Sequence, residues 1–142
     1  MKIKLYGLAI AFGIISFFIS CKKDPGPGGT STIQGRVHAQ HVTQGGVIDT
    51  SYYDEDDRVY IVYGTSGDAE DDDTRSSFDG SYKFQCLQKG TYRIWVYSKD
   101  TTGLYNFTFD HTRPPIPVIK TVEVTSNGQT VNVPDIEVFL YN

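Results

Sequence analysis

Apolar residues recur at every second position through most of the chain after Thr32. Ile33, Gly35 and Val37 alternate with Gln34, Arg36 and His38; Val59, Ile61 and Tyr63 alternate with Arg58, Tyr60 and Val62; Tyr82, Phe84 and Cys86 alternate with Ser81, Lys83 and Gln85. A period of two is that of a half-buried β-strand. The same spacing predicts strands over Thr91–Tyr97, with Tyr92, Ile94 and Val96 inward, over Val118–Val124 and over Ile136–Leu140, and short ones near Thr74–Phe78 and Thr130–Val133. No stretch after Ser20 keeps a helical period for three turns. Asp79-Gly80, Lys89-Gly90 and Asn127-Gly128 supply the backbone freedom of tight turns and are expected to join neighbouring strands as hairpins. About seven strands in ~110 residues predict an all-β sandwich.

The first twenty residues break this pattern and read as a leader. Lys2 and Lys4 precede an apolar run from Leu5 to Ser20. As a helix that run is about 24 Å long, short of a hydrocarbon core of about 30 Å. A basic start followed by a short apolar segment is an export signal. Phe18-Ile19-Ser20-Cys21 resembles the lipobox of bacterial lipoproteins, which implies cleavage before Cys21 and acylation of its thiol by diacylglycerol and palmitate-type chains. The expected organisation is a lipoprotein signal over 1–20, a Pro/Gly-rich flexible tether over 21–31 and a β-sandwich over 32–142. Localisation follows: a membrane partner through the lipid, in the bacterial cell envelope, at the outer membrane.

The chain has 13 basic against 17 acidic residues, a net charge of −4, and loss of the leader removes two lysines more. The longest charge runs are acidic, which excludes a nucleic-acid partner of the usual basic kind. Acylated Cys21 leaves Cys86 alone, so no disulfide is expected. The alternation of Tyr82, Phe84 and Cys86 assigns Cys86 as a small buried apolar residue.

The pattern Ile33-x-Gly35-x-Val37, Val59-x-Ile61-x-Tyr63-Gly64, Phe78-Asp79-Gly80-Ser81-Tyr82-x-Phe84 and Leu87-x-x-Gly90-x-Tyr92-x-Ile94-x-Val96 resembles the carboxypeptidase regulatory-like, or transthyretin-like, domain. Lys120–Val124 and Val133-Pro134-Asp135-Ile136 extend the likeness. The resemblance implies a seven-strand Greek-key sandwich and a non-catalytic accessory or surface role, with no substrate. A transthyretin-like hydrolase branch ends in Tyr-Arg-Gly-Ser, whereas this chain ends Val138-Phe139-Leu140-Tyr141-Asn142. Ala39–Asp57 and Asp100–Pro117 are longer than such connections usually are.

Two acidic clusters, Asp54-Glu55-Asp56-Asp57 and Asp68-Ala69-Glu70-Asp71-Asp72-Asp73, are the densest charges. Calcium takes six to eight oxygen ligands, and Asp68, Glu70, Asp71, Asp72 and Asp73 form a candidate loop for Ca2+, against a solvated acidic surface; no other cofactor is expected. The loop lacks the glycine and the closing acid of an EF-hand. His38, His41 and His111 lack the further ligands of a zinc signature. No serine-hydrolase elbow, zinc-protease motif or phosphate-cradling loop occurs, so the chain is not expected to be an enzyme.

The outward face of the Thr91–Tyr97 strand carries Arg93, Trp95 and Tyr97. Aromatic and arginine side chains in a row suit stacking on sugars or anchoring a protein partner. The segment 100–117, with Tyr105, Phe107 and Phe109 in alternation before Pro114, Pro115 and Pro117, could contribute Tyr105 and Phe107 to that surface or cover it. Asp100-Thr101-Thr102 resembles a bacterial O-glycosylation sequon at Thr101. The expected function is a non-catalytic module for an envelope protein or glycan partner, the alternatives being a structural spacer in an envelope complex and, last, a hydrolase.

Overall fold

A computed structural model describes residues 25–43, 47–67, 69–100 and 114–140. All regular structure among them is β: β1 (Pro27–Val42), β2 (Ile48–Tyr53), β3 (Arg58–Tyr63), β4 (Asp72–Arg75), β5 (Ser81–Leu87), β6 (Gly90–Ser98), β7 (Ile116–Val124), β8 (Thr130–Asn132) and β9 (Ile136–Leu140). Two sheets form, one of five strands built on β1 and one of four in the order β4-β3-β6-β7. Ile33, Val37, Tyr82, Phe84, Ile136 and Val138 of the first pack against Val59, Ile61, Tyr92, Ile94 and Val96 of the second in one buried cluster. Each such aliphatic side chain contributes about 1.5–3 kcal/mol by leaving water.

β1 organises the first sheet. Its first half pairs antiparallel with β5 and parallel with β8, and its second half pairs with β2 and β9 in the same senses. The change of partner from β5 to β2 falls at Val37, whose N–H donates to Gly80 O while its carbonyl accepts from Asp54 N. Gly80 has φ of 73°, and a Cβ there would lie 2.6 Å from Val37 O. Only glycine fits that junction.

Four expectations need correction. The strand begins at Pro27, so the tether expected to reach residue 31 is shorter: Pro27 pairs with Leu87, and Ser31 is buried. The stretch Ala39–Asp57, taken as a connection, holds the end of β1 and all of β2, giving nine strands among the described residues. β4 ends at Arg75, before the expected Phe78, which is 86% exposed. The three tight turns are not hairpins. Each passes the chain between sheets, β4 to β5, β5 to β6 and β7 to β8, while the antiparallel neighbours β1–β2, β3–β4 and β6–β7 are joined elsewhere.

Cys86 is a further correction: it is exposed, with φ of 59°. Phe84 opposes Ile33 but Leu87 opposes Ser31, so β5 spends one extra residue there. That β-bulge shifts the alternation by one, and Leu87 turns inward where Cys86 was expected.

Candidate functional site

The side chains singled out on β6 do share one face. Tyr60 and Trp95 are partners across β3 and β6, and Trp95 faces Ile119 on β7. Their rings stack 5.6 Å apart with planes 16° apart, and Tyr97 meets Tyr60 edge-on at 5.5 Å. Trp95 is only 7% exposed, whereas Tyr97 is 47% exposed. The Arg93 guanidinium donates to Gly67 O, and Val62 beside it is buried. The row therefore works mainly as a second packing layer, with Tyr97 as its open end. Cys21, Asp68, Thr101, Tyr105, Phe107 and His111 lie outside the described residues.

The acidic segment does not gather into a calcium loop among the described residues. Asp72 and Asp73 are consecutive strand residues of β4, so their side chains leave on opposite faces. Asp71 Oδ2 accepts Tyr63 N at 2.7 Å, Asp72 Oδ1 accepts Asp73 N at 2.8 Å, and Asp73 pairs with Arg58 at 3.5 Å. No group of three or more His, Cys, Asp or Glu among the described residues could hold a metal. In the other cluster, Ser76 ties the backbone together: its hydroxyl donates to Asp54 O and accepts from Asp57 N. Burial, and then the charge and hydrogen bond of Asp54, push the Asp57 carboxyl up to about 6.

The outer face of the first sheet was not singled out by sequence, and it is the richer surface. Asn132, Gln34 and Lys83 form one row across β8, β1 and β5, and Arg36 and Ser81 form the next. Gln34 Nε2 donates to Asn132 Oδ1 at 2.9 Å, locking two planar amides side by side. The Arg36 guanidinium lies 4.9 Å from the centroid of the half-exposed Tyr53 ring. Tyr53 in turn donates its hydroxyl to Asp135 at 3.1 Å and abuts the His38 ring at 5.2 Å.

This face opens into a cleft of about 590 Å³ that also takes in Thr74 and Arg75 from the second sheet. Its size is that of an ordinary ligand pocket. Tyr82 borders it from the core side of the sheet, 3% exposed, and its hydroxyl has no hydrogen-bond partner among the described residues. Burial and then the Asp135 charge raise the Tyr82 phenol well above its usual value, so it stays a donor. The ring crosses β1 at Gly35, where a Cβ would come within 2.6 Å of Tyr82 Oη.

Both described histidines are engaged with carboxylates: His38 Nδ1 with Glu137 at 2.8 Å and His41 Nδ1 with Asp49 at 2.6 Å. Glu137 sits below the usual carboxylate range, because hydrogen bonds from His38 and Gln40 outweigh its partial burial. In both, Nδ1 makes the contact.

No protein-family model matches the chain, and no curated protein matches it. Solved structures do. A provisionally assigned carbohydrate-binding protein from Pseudomonas aeruginosa aligns with a TM-score of 0.46 at 14% identity, over 82% of this chain and 91% of that one. An (S)-allantoin synthase aligns with a TM-score of 0.39 at 12% identity, over 81% of this chain and 42% of that one. At these values neither bears on ligand or reaction.

The alternation assigned Gln34, Arg36 and Lys83 outward. It could not show that β8 runs parallel beside β1, which is what adds Asn132 to the row.

Proposed function

We propose that this chain is a lipid-anchored protein of the bacterial cell envelope, held at the outer membrane through acylated Cys21, whose transthyretin-like sandwich is a non-catalytic glycan-binding module. The observation that carries the binding reading is the polar face of the first sheet: two locked amides, Gln34 and Asn132, beside the half-exposed ring of Tyr53. Planar amides that both donate and accept suit vicinal sugar hydroxyls, and the exposed part of the Tyr53 ring beside them suits apolar C–H groups of a sugar. The lipobox resemblance and the basic, apolar leader support the anchor.

Two measurements test this. Labelling of the full chain with radioactive palmitate in a bacterial host should succeed and be lost in Cys21→Ser. Affinity electrophoresis of detergent-extracted full chain through polysaccharide-containing gels should show retardation that weakens about tenfold in Tyr53→Ala. Unlabelled wild-type protein overturns the anchor, and free migration through every polysaccharide overturns the binding reading.

A further inference from the structure

The cleft also indicates which glycans it takes. Resting on the binding reading above, we infer that its ligand is an anionic saccharide, one carrying a carboxylate or phosphate on a hydroxylated ring, held by Arg36 and Lys83.

The protein is acidic overall, yet among the described residues Asp135 is the only carboxylate lining this cleft, against Arg36, Arg75 and Lys83. These cations differ in how far the protein satisfies them. Arg75 is occupied, donating to Asp56 O at 2.8 Å and pairing with its carboxylate at 2.9 Å. Arg36 is not: its nearest carboxylate, Asp79, stands 3.8 Å away, beyond hydrogen-bond reach. Asp79 is itself drawn off by the hydroxyl and N–H of Ser81, which hold it below the usual carboxylate range. Lys83 makes no ion pair among the described residues, although Gln34 beside it is engaged with Asn132.

Arg36 and Lys83 stand on adjacent strands, one row apart on the same face. That places two underused cations around the amide pair, with the Arg36 guanidinium carbon 4.9 Å from the centre of the Tyr53 ring. A guanidinium presents its N–H groups as a fork that fits two oxygens of a carboxylate or phosphate. An ammonium beside it adds a mobile point charge.

The test uses detergent-extracted full chain in affinity gels containing polygalacturonate, phosphomannan or neutral dextran. Retardation by an acidic polymer at least tenfold stronger than by dextran is expected, and which acidic polymer acts tells carboxylate from phosphate. Lys83→Glu should weaken it about tenfold, while Lys89→Glu, the same charge change on an exposed turn outside the cleft, should shift it less than twofold. Retardation by dextran equal to that by the acidic polymers overturns the anionic assignment and leaves the glycan reading standing. Equal losses in Lys83→Glu and Lys89→Glu also overturn it, since the attraction is then diffuse. Free migration in all three gels removes both.

Discussion

Tyr60 stacks on Trp95 across β3 and β6, with ring planes 16° apart on the face of the second sheet that turns away from the core. Burial of an indole there makes the pair structural. Trp95→Ala should cost about 3–5 kcal/mol in denaturant unfolding, and Trp95→Phe clearly less. A double-mutant cycle with Tyr60→Leu should return a coupling of about 0.5–1.5 kcal/mol. Glycan retardation of folded Trp95→Phe should match wild type; loss of binding in that variant would move the site to the second sheet.

Gly35→Ala drives a methyl into the Tyr82 hydroxyl, whose oxygen would lie 2.6 Å away. Thermal unfolding should show a loss of about 1–3 kcal/mol. Tyr82→Phe removes the clashing oxygen and a buried donor without a partner. It should be neutral or stabilising by about 1 kcal/mol alone, and should recover part of the loss in the double variant. Full additivity of the two changes would mean that the ring does not cross β1 at Gly35.

Asp57 gives a pH signature. Its folded carboxyl is raised to about 6, so the folded chain binds a proton more tightly than the unfolded chain between pH 4 and 6. Stability from this group therefore falls as pH rises through that window, and the penalty is complete above it. Asp57→Asn should be more stable than wild type at pH 7, by about 1 kcal/mol after allowing for solvent screening, and the gap should close towards pH 4. A gap independent of pH would rule out the titration.

Cys86 occupies a left-handed backbone conformation at the β5 bulge and faces solvent. Cys86→Gly should be tolerated or gain about 0.5–1 kcal/mol, whereas a β-branched Cys86→Val should lose stability. The native thiol should react with a maleimide at the rate of an exposed cysteine. Slow labelling, unmasked only by denaturant, would restore the inward placement.

The strands that face the core on one side were legible because burial imposes alternation, as for Ile33 with Val37 and for Tyr92, Ile94 and Val96. What escaped has physical reasons. β2 is exposed along its whole length, so no burial writes a period into Ile48–Tyr53. Pro27–Ser31 reads as a linker by composition, yet it pairs with β5 at its edge, where proline and glycine cost little. Cys86 misled because a bulge changes phase without changing composition. The cleft was hidden because its residues are ordinary surface polars; only the parallel pairing of β8 and the ring of Tyr53 make them a group. Trp95 and Tyr97 were found on their face by alternation, but alternation carries no information about what lies over a face.

The early start of β1 sets a geometric limit. Gly26 N donates to the Tyr92 hydroxyl and Gln88 N to Gly26 O, and Pro25 packs so tightly on Gly90 that a Cβ there would lie 2.7 Å from it. Only Lys22, Lys23 and Asp24 separate this pinned corner from Cys21. With that cysteine acylated, the leash is at most about 14 Å at ~3.5 Å per residue. The pole of the sandwich bearing the Lys89 turn would then ride against the phospholipid headgroups, and β1 would stand as a mast carrying its β2 hairpin several nanometres outward. On so short a leash, anything the sandwich captured would be kept within a few nanometres of the bilayer surface.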